Sequence, residues 1–288
     1  MAEWFLFLPQ VRMALDDIVD RAQVAEAAGF DGIAFIDHLE PPGATHQSIW
    51  EAMTIATLVA ARTERLRVGH LVLCDAFRHP AVLAKQAVTL DAISGGRFDL
   101  GLGWGSWPAE FERFGLPDGD DAPARVARMD QTLELLHQYW GLTGSGEIQE
   151  PRPERKIPLV IGGTGPKTMD LVRRYADWWN VPSHQLDRLP KLLPTVGDVG
   201  VSVQLMVGFI GAGADRDAVV AASTRRFGHL GSGLVCGNAD ELRAHFADLA
   251  AQGVRRFYVW FADFAAPATL REFSDTVIRD VRLISSNQ

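Results

Sequence analysis

The feature that most constrains this chain is a repeated change of hydrophobic period. Short apolar runs alternate with segments whose apolar residues recur at helical spacing. Trp4–Leu8, Gly32–Ile36, Leu66–Cys74 and Phe98–Leu102 read as buried strands, and so do Leu159–Ile161, Trp178–Val181, Val201–Phe209 and Phe257–Phe261. Between them lie helical patterns at Leu15–Ala28, Ile49–Ala61, Ala81–Ile93, Ala122–Trp140, Lys167–Tyr175, Ala239–Ala251 and Leu270–Ile284. Several of these helices stop at a glycine: Gly29 after the first, Gly95-Gly96 after Ile93, Gly253 near Ala251. Strands that are apolar throughout and separated by helices form parallel sheets covered on both faces. Eight such units without a break in composition predict an α/β protein, a single (β/α)₈ TIM barrel over residues 1–288.

Composition removes several classes of function. A chain of 288 residues, 47% hydrophobic and 22% charged, suits one barrel, which takes roughly 250 residues. The net charge of −8 and the absence of a basic stripe argue against nucleic acid, because Arg62–Arg67 and Arg152–Lys156 are short and interrupted. No apolar run reaches the roughly eighteen residues of a membrane span, and no leader-like segment opens the chain. Cys74 and Cys236 match no redox or metal spacing, and the eight histidines show no paired-ligand motif. A reducing cytoplasm is therefore the expected location, with no metal and no membrane partner.

A barrel of this kind works at the C-terminal ends of its strands. That singles out Pro9-Gln10, Asp37-His38, Cys74–His79, Gly103–Glu110, Gly162–Pro166, Asn180–His184 and the segment after Phe261. His38 is the candidate acid or base, since an imidazole can exchange a proton near neutral pH, and Asp37 is placed to orient it or to end the strand. Gly103-Trp104-Gly105 lets a planar ligand approach backbone, with Trp104 or Trp107 as a wall. Gly162-Gly163-Thr164-Gly165 opens a helix and presents bare N–H groups to a phosphate. Schiff-base chemistry needs a lysine at a strand end, yet Lys85, Lys156, Lys167 and Lys191 all fall on helices or linkers.

A set of short motifs recurs in a fixed order. Ala27-Gly29-Phe30-Asp31 leads to Asp37-His38-Leu39, then Ala60–Gly69, Arg78-His79-Pro80, Leu90-Asp91 and Ser94-Gly95-Gly96-Arg97. Gly101-Leu102-Gly103, Glu110, the glycine loop and Tyr175-Ala176-Asp177 follow. In this order the chain resembles the bacterial luciferase-like monooxygenase superfamily over nearly its whole length. The resemblance implies a flavin-like ring in the barrel mouth, its phosphate on the glycine loop, and a nonprolyl cis peptide near Leu71-Val72-Leu73-Cys74 backing the ring. Arg97 would be structural, at the start of a strand.

The Asp-His pair and the Arg-His-Pro step look most like the branch that uses coenzyme F420, a deazaflavin. That implies an oxidoreductase moving a hydride between F420 and a small organic substrate, with His38 handling the proton. FMN with a monooxygenase activity is the alternative on the same barrel, and a non-catalytic flavin-binding protein is the alternative of another class. F420-dependent glucose-phosphate dehydrogenases carry a glutamate directly after their Gly-x-Gly, where this chain has Ser106, with Glu110 four residues on. The resemblance therefore does not extend to a sugar-phosphate substrate or to a second acid. The family's habit implies a homodimer. The tryptophans Trp104, Trp107, Trp178 and Trp179 suggest an apolar substrate if they stand at the mouth.

Overall fold

The computed structural model describes residues 2–119 and 121–286, so Met1, Asp120, Asn287 and Gln288 of the expected 1–288 domain lie outside the described residues. The strands are β1 (Glu3–Phe7), β2 (Gly32–Phe35), β3 (Arg67–His70), β4 (Leu73–Cys74) and β5 (Phe98–Gly103). They continue as β6 (Leu159–Gly162), β7 (Trp178–Val181), β8 (Gly200–Phe209), β9 (Leu234–Gly237) and β10 (Arg256–Phe261). Pairing is parallel throughout, in the order β1-β2-β3-β5-β6-β7-β8, and β10 joins β8 to β1. Eight strands thus close a (β/α)₈ barrel, as the periodicity predicts. β4 prolongs β3 and pairs with β5, while β9 adds to the end of β8 at Met206–Phe209.

Side-chain alternation divides the apolar residues into two sets. Leu6, Ile33, Val68, Leu100, Ile161, Val203 and Phe257 point outward into the core shared with the helices. Phe5, Phe7, Ala34, Leu71, Val160 and Tyr258 point inward and fill the barrel. The barrel is a packed core rather than a pore, open only at its C-terminal end.

Local signals set most boundaries. Leu15–Ala28 ends where Gly29 turns left-handed at φ 92°, and Pro80–Ser94 starts with proline in its first turn and ends at Gly95. Asn238 and Glu241 close a reciprocal capping box on Ala239–Ala251. The helix expected at Ile49–Ala61 is shorter, Ala52–Ala60, because Glu51 caps it through Thr54 N and Ile49 bridges to Val11 instead. The strand expected over Leu66–Cys74 is divided by a cis peptide between Leu71 and Val72, within the segment the resemblance indicated. Two helices, Pro108–Phe114 and Arg216–Phe227, and strand β9 are not among the elements expected from hydrophobic period. Arg97 donates to the carbonyls of Ala60, Thr63, Leu66 and Ser94, tying a loop to the foot of β5.

His70 on β3 is buried, with Nε2 3.1 Å from Ala52 O and Nδ1 without a partner. Burial disfavours the imidazolium and pushes its pKa from 6.5 down to about 4. The unfolded chain therefore binds the extra proton first. Stability from this residue is full above the unfolded value and is lost as pH falls through the window from 6.5 to about 4, by about 3 kcal/mol. Denaturant unfolding across that window should show this slope, and His70→Asn should remove it. An equal slope in both proteins would place the proton elsewhere.

Candidate active site

The C-terminal mouth of the barrel encloses a cavity of about 570 Å³. Pro9, Gln10 and the segment after Phe261 do not line it, whereas Asp37 and His38, Leu71, Val72, Leu73 and Cys74, Gly103, Trp104 and Gly105, and Gly162, Gly163, Thr164 and Gly165 do. These come from four separate strand ends. The barrel brings them together because successive strands deliver their following loops to the same rim.

On one wall, His38 Nδ1 lies 3.0 Å from Glu110 Oε2. The other carboxylate oxygen of Glu110 accepts the N–H of Leu39 at 2.6 Å, and the side chain is only 2% exposed. A carboxylate facing Nδ1 holds the proton there and leaves Nε2 as the free nitrogen. Glu110 rather than Asp37 therefore orients the ring. It sits on the short helix Pro108–Phe114, whose opening proline and left-handed Gly115 cap are signals that could have revealed it. Ser106 lines the same cavity as Glu110.

Asp37 has a different task. Its carboxylate accepts the N–H of Cys74 at 2.8 Å and both terminal nitrogens of Arg78, at 2.6 and 3.0 Å. Arg78 also reaches Glu51. Burial works against the guanidinium charge, but the two carboxylates outweigh it and raise the Arg78 pKa. Gln10 pins the neighbouring backbone, donating to Ile36 O at 2.6 Å and accepting from Ile36 N at 3.2 Å. Burial pushes the Cys74 thiol up to about 12, so it stays protonated and inert.

The glycines at the end of β5 serve packing. A Cβ on Gly101 would lie 1.8 Å from His70 O, and one on Gly103 would lie 2.6 Å from Val72 Cγ2. The space they vacate is filled by the segment around the cis peptide, so Val72, not bare glycine backbone, presents the surface there. Trp104 lines the cavity and its Nε1 donates to Thr168 Oγ1 at 3.3 Å, whereas Trp107 caps its helix away from the cavity. Trp178 lies near the opposite end of the barrel, 4.0 Å from the Arg256 guanidinium, and Trp179 faces the outer core while donating to Gly163 O at 2.7 Å. The tryptophan argument for an apolar substrate thus rests on Trp104 alone.

The glycine loop has the geometry of an anion site. The helix Pro166–Tyr175 has Gly165 as its N-cap with no capping side chain, and Pro166 has no N–H, so the first-turn amides of Lys167 and Thr168 are left without a side-chain cap. A Cβ on Gly162 would meet only Val72, at 3.7 Å, leaving room inside the cavity. Arg188 donates to Thr164 Oγ1 at 3.0 Å, and Thr164 bonds to Gln185. Beneath Trp104, Arg125 is 4% exposed, stacked 5.0 Å from that ring and 4.7 Å from Phe111, with Nε and Nη1 unpartnered. Unpaired donors and cations at one end, and an apolar wall at Leu71–Cys74, suit a planar ring carrying an anionic tail. Sequence reading missed Arg125, Gln185, Arg188 and Gln204, which stand on elements with no motif of their own.

Known proteins resemble this chain in sequence and in fold. Residues 5–198 match the luciferase-like monooxygenase family, and the chain belongs to that family. An F420-dependent glucose-6-phosphate dehydrogenase of Microbacterium testaceum is 31% identical over 217 residues, 71% of this chain and 61% of the relative. A protein of the same name from Amycolatopsis mediterranei is 28% identical over 73% of this chain and 69% of its own length. The chain thus spans about three fifths of the first relative's length. Among solved structures, an F420-dependent secondary alcohol dehydrogenase in complex with an F420–acetone adduct superposes with a TM-score of 0.81 at 17% identity, covering 98% of this chain and 99% of that one. The EDTA monooxygenase of Chelativorans sp. BNC1 superposes at 0.77 and 14% identity, covering 98% and 94%. Both show the shared fold.

Gly162→Val should fold normally and obstruct the cavity. Circular dichroism should be unchanged while affinity for F420 or FMN, titrated by tryptophan quenching, falls at least about tenfold. Unchanged affinity for both would move the ligand out of this cavity.

Proposed function

We propose that this chain is an F420-dependent oxidoreductase that moves a hydride between the deazaflavin and a small organic substrate. The observation that carries the reading is the His38–Glu110 pair, 3.0 Å apart, on the wall of a cavity backed by Leu71–Cys74 and ended by an uncapped glycine loop. The names of the relatives from Microbacterium testaceum and Amycolatopsis mediterranei support the choice of cofactor.

When bound, F420 supplies a ring carbon that takes up or gives back a hydride. The protein's own residues do the rest. Val72 and Leu71 would back the ring, and the Asp37–Arg78 clamp fixes their position through Cys74 N. The first-turn amides of the glycine loop and Arg188 would hold the phosphate. His38 Nε2 takes the hydroxyl proton when an alcohol is oxidised and returns it when a carbonyl is reduced, while Glu110 keeps Nδ1–H and the ring plane fixed. We read the chain as one domain that pairs as a homodimer. The exposed Val82, Ile93, Leu142 and Ile148 are consistent with pairing, and the two unpaired cysteines are consistent with a cytoplasmic location.

An FMN-dependent monooxygenase is the second reading, favoured by the superposition on the EDTA monooxygenase. Separate titrations with F420 and FMN, then turnover with and without oxygen, divide the two. His38→Ala should lower turnover by about 10²–10⁴-fold and leave cofactor affinity nearly intact. Turnover that survives the substitution would remove His38 from the proton path.

A further inference from the structure

The substrate end of the cavity differs sharply in charge from the glycine-loop end. On the upper interior of the barrel, Ile36, Leu71 and Gln204 face the cavity, and none of them is charged. Beside them Phe7 packs edge-on against Trp260 at 5.3 Å, and Trp260 meets Phe227 at 5.1 Å. The basic side chains lining the cavity are His38, His184 and Arg188, and the last two stand with the glycine loop through Gln185 and Thr164. Arg78 is committed to Asp37 and Glu51, and Arg226 donates to Ala262 O beneath the Phe264 ring. Arg125, beneath Trp104, keeps Nε and Nη1 unpartnered, but it lies on the Trp104–Thr168 side of the cavity and not at the Ile36, Leu71 and Gln204 end.

A separate observation points the same way. (β/α)₈ barrels most often hold a phosphate on the loops after their last two strands. Here those loops border a second cavity, of about 440 Å³, and carboxylates face it. Glu272 Oε1 accepts the N–H of Ala212 at 2.6 Å, in the Gly211–Ala214 turn where a phosphate would otherwise be cradled. Asp263 accepts from Ala265 N at 3.1 Å and from Thr269 Oγ1 at 2.6 Å. A phosphate placed there would meet the carboxylates of Asp263 and Glu272 against the single guanidinium of Arg226, which already donates to Ala262 O, so acid outnumbers base around these N–H donors.

Gln204 completes the argument. On β8 it faces inward beside Tyr258, half-buried, and its amide bonds to no other side chain or backbone group among the described residues. At this largely apolar end it is an uncommitted amide, able to donate and accept one hydrogen bond each with a neutral polar group.

We propose that the substrate is an uncharged alcohol with an apolar body, or the corresponding ketone or aldehyde, and not a phosphorylated sugar, with Gln204 as the residue that reads it. This rests on the F420 reading of the site. In the oxidative direction the carbinol C–H bond breaks and its electron pair leaves with the hydrogen as hydride to F420. The O–H bond breaks with its proton passing to His38 Nε2, and the C=O bond forms, so the substrate gives up two electrons and two hydrogens.

The test begins with an F420 titration of the full chain. Absence of binding there removes the cofactor reading and this proposal with it, before any substrate is added. On the F420-loaded protein, cyclohexanone and glucose 6-phosphate are titrated at matched concentrations by tryptophan quenching, and cyclohexanol oxidation is followed by F420 reduction. Saturable binding of cyclohexanone with none of glucose 6-phosphate is expected. Gln204→Leu should weaken cyclohexanone binding about tenfold, the loss of one hydrogen bond. Saturable glucose 6-phosphate binding, no response to cyclohexanone, or unchanged cyclohexanone affinity in Gln204→Leu overturns the proposal while leaving F420 binding in place.

Discussion

The barrel depends on one buried guanidinium at the end opposite its mouth. Arg256 on β10 is 2% exposed, lying 4.0 Å from the Trp178 ring and 4.3 Å from that of Phe5. Its Nη1 donates to Asp99 at 2.9 Å, its Nε to Glu3 at 2.7 Å, and Asp99 also holds Arg67. Through these contacts β10, β1, β3, β5 and β7 are joined across the barrel axis. A charge buried this deeply is costly unless its partners are complete. Here two carboxylates, the Tyr258 hydroxyl and two ring faces complete it, and burial in turn pushes the Tyr258 phenol up to about 12. Removing one partner would leave an uncompensated charge and cost roughly 3–5 kcal/mol.

This arrangement separates stability from chemistry along the barrel axis. The closed end carries the charges that lock the strands, so the open end is free to be nearly neutral. Within the open end a second separation holds, with Arg188 at the Gly162–Gly165 loop and the His38–Glu110 pair on another wall. A phosphate-bearing ring laid between them would have its orientation set by electrostatics before any substrate arrives. The acidic Glu272 and Asp263 on the neighbouring loops discourage the reverse placement.

What was legible in the sequence and what was not follow from the range of the interactions. Leu15–Ala28, Trp178–Val181 and Ala239–Ala251 have the observed boundaries because period and caps are local. The glycine loop is legible for the same reason, since a strand, three glycines and a helix lie within a few residues. Glu110 was visible only as a residue without a role, because its partner is 72 positions away and the contact exists only after the barrel closes. Arg125 was invisible: nothing nearby in sequence separates an arginine stacked under Trp104 from one on a solvated helix face. Arg216–Phe227 lacked a strong apolar stripe, Ser223 being its one buried residue among those described, so periodicity had little to detect.

The adjacent acid and base at the end of β2 show why a short motif underdetermines a site. Asp37 and His38 are neighbours in sequence, yet backbone alternation sends them to different partners. Asp37 turns toward Cys74 N and Arg78 and becomes part of the support for the cis-peptide segment. His38 turns toward Glu110 and keeps one nitrogen free. Had the two carboxylates exchanged roles, Arg78 would compete with the imidazole for the same acceptor, and the ring would lose a fixed tautomer. Committing Asp37 to a permanent cation leaves Glu110 uncontested for His38. The separation holds the Leu71–Cys74 wall and the His38–Glu110 pair within one cavity without either drawing on the other's charge.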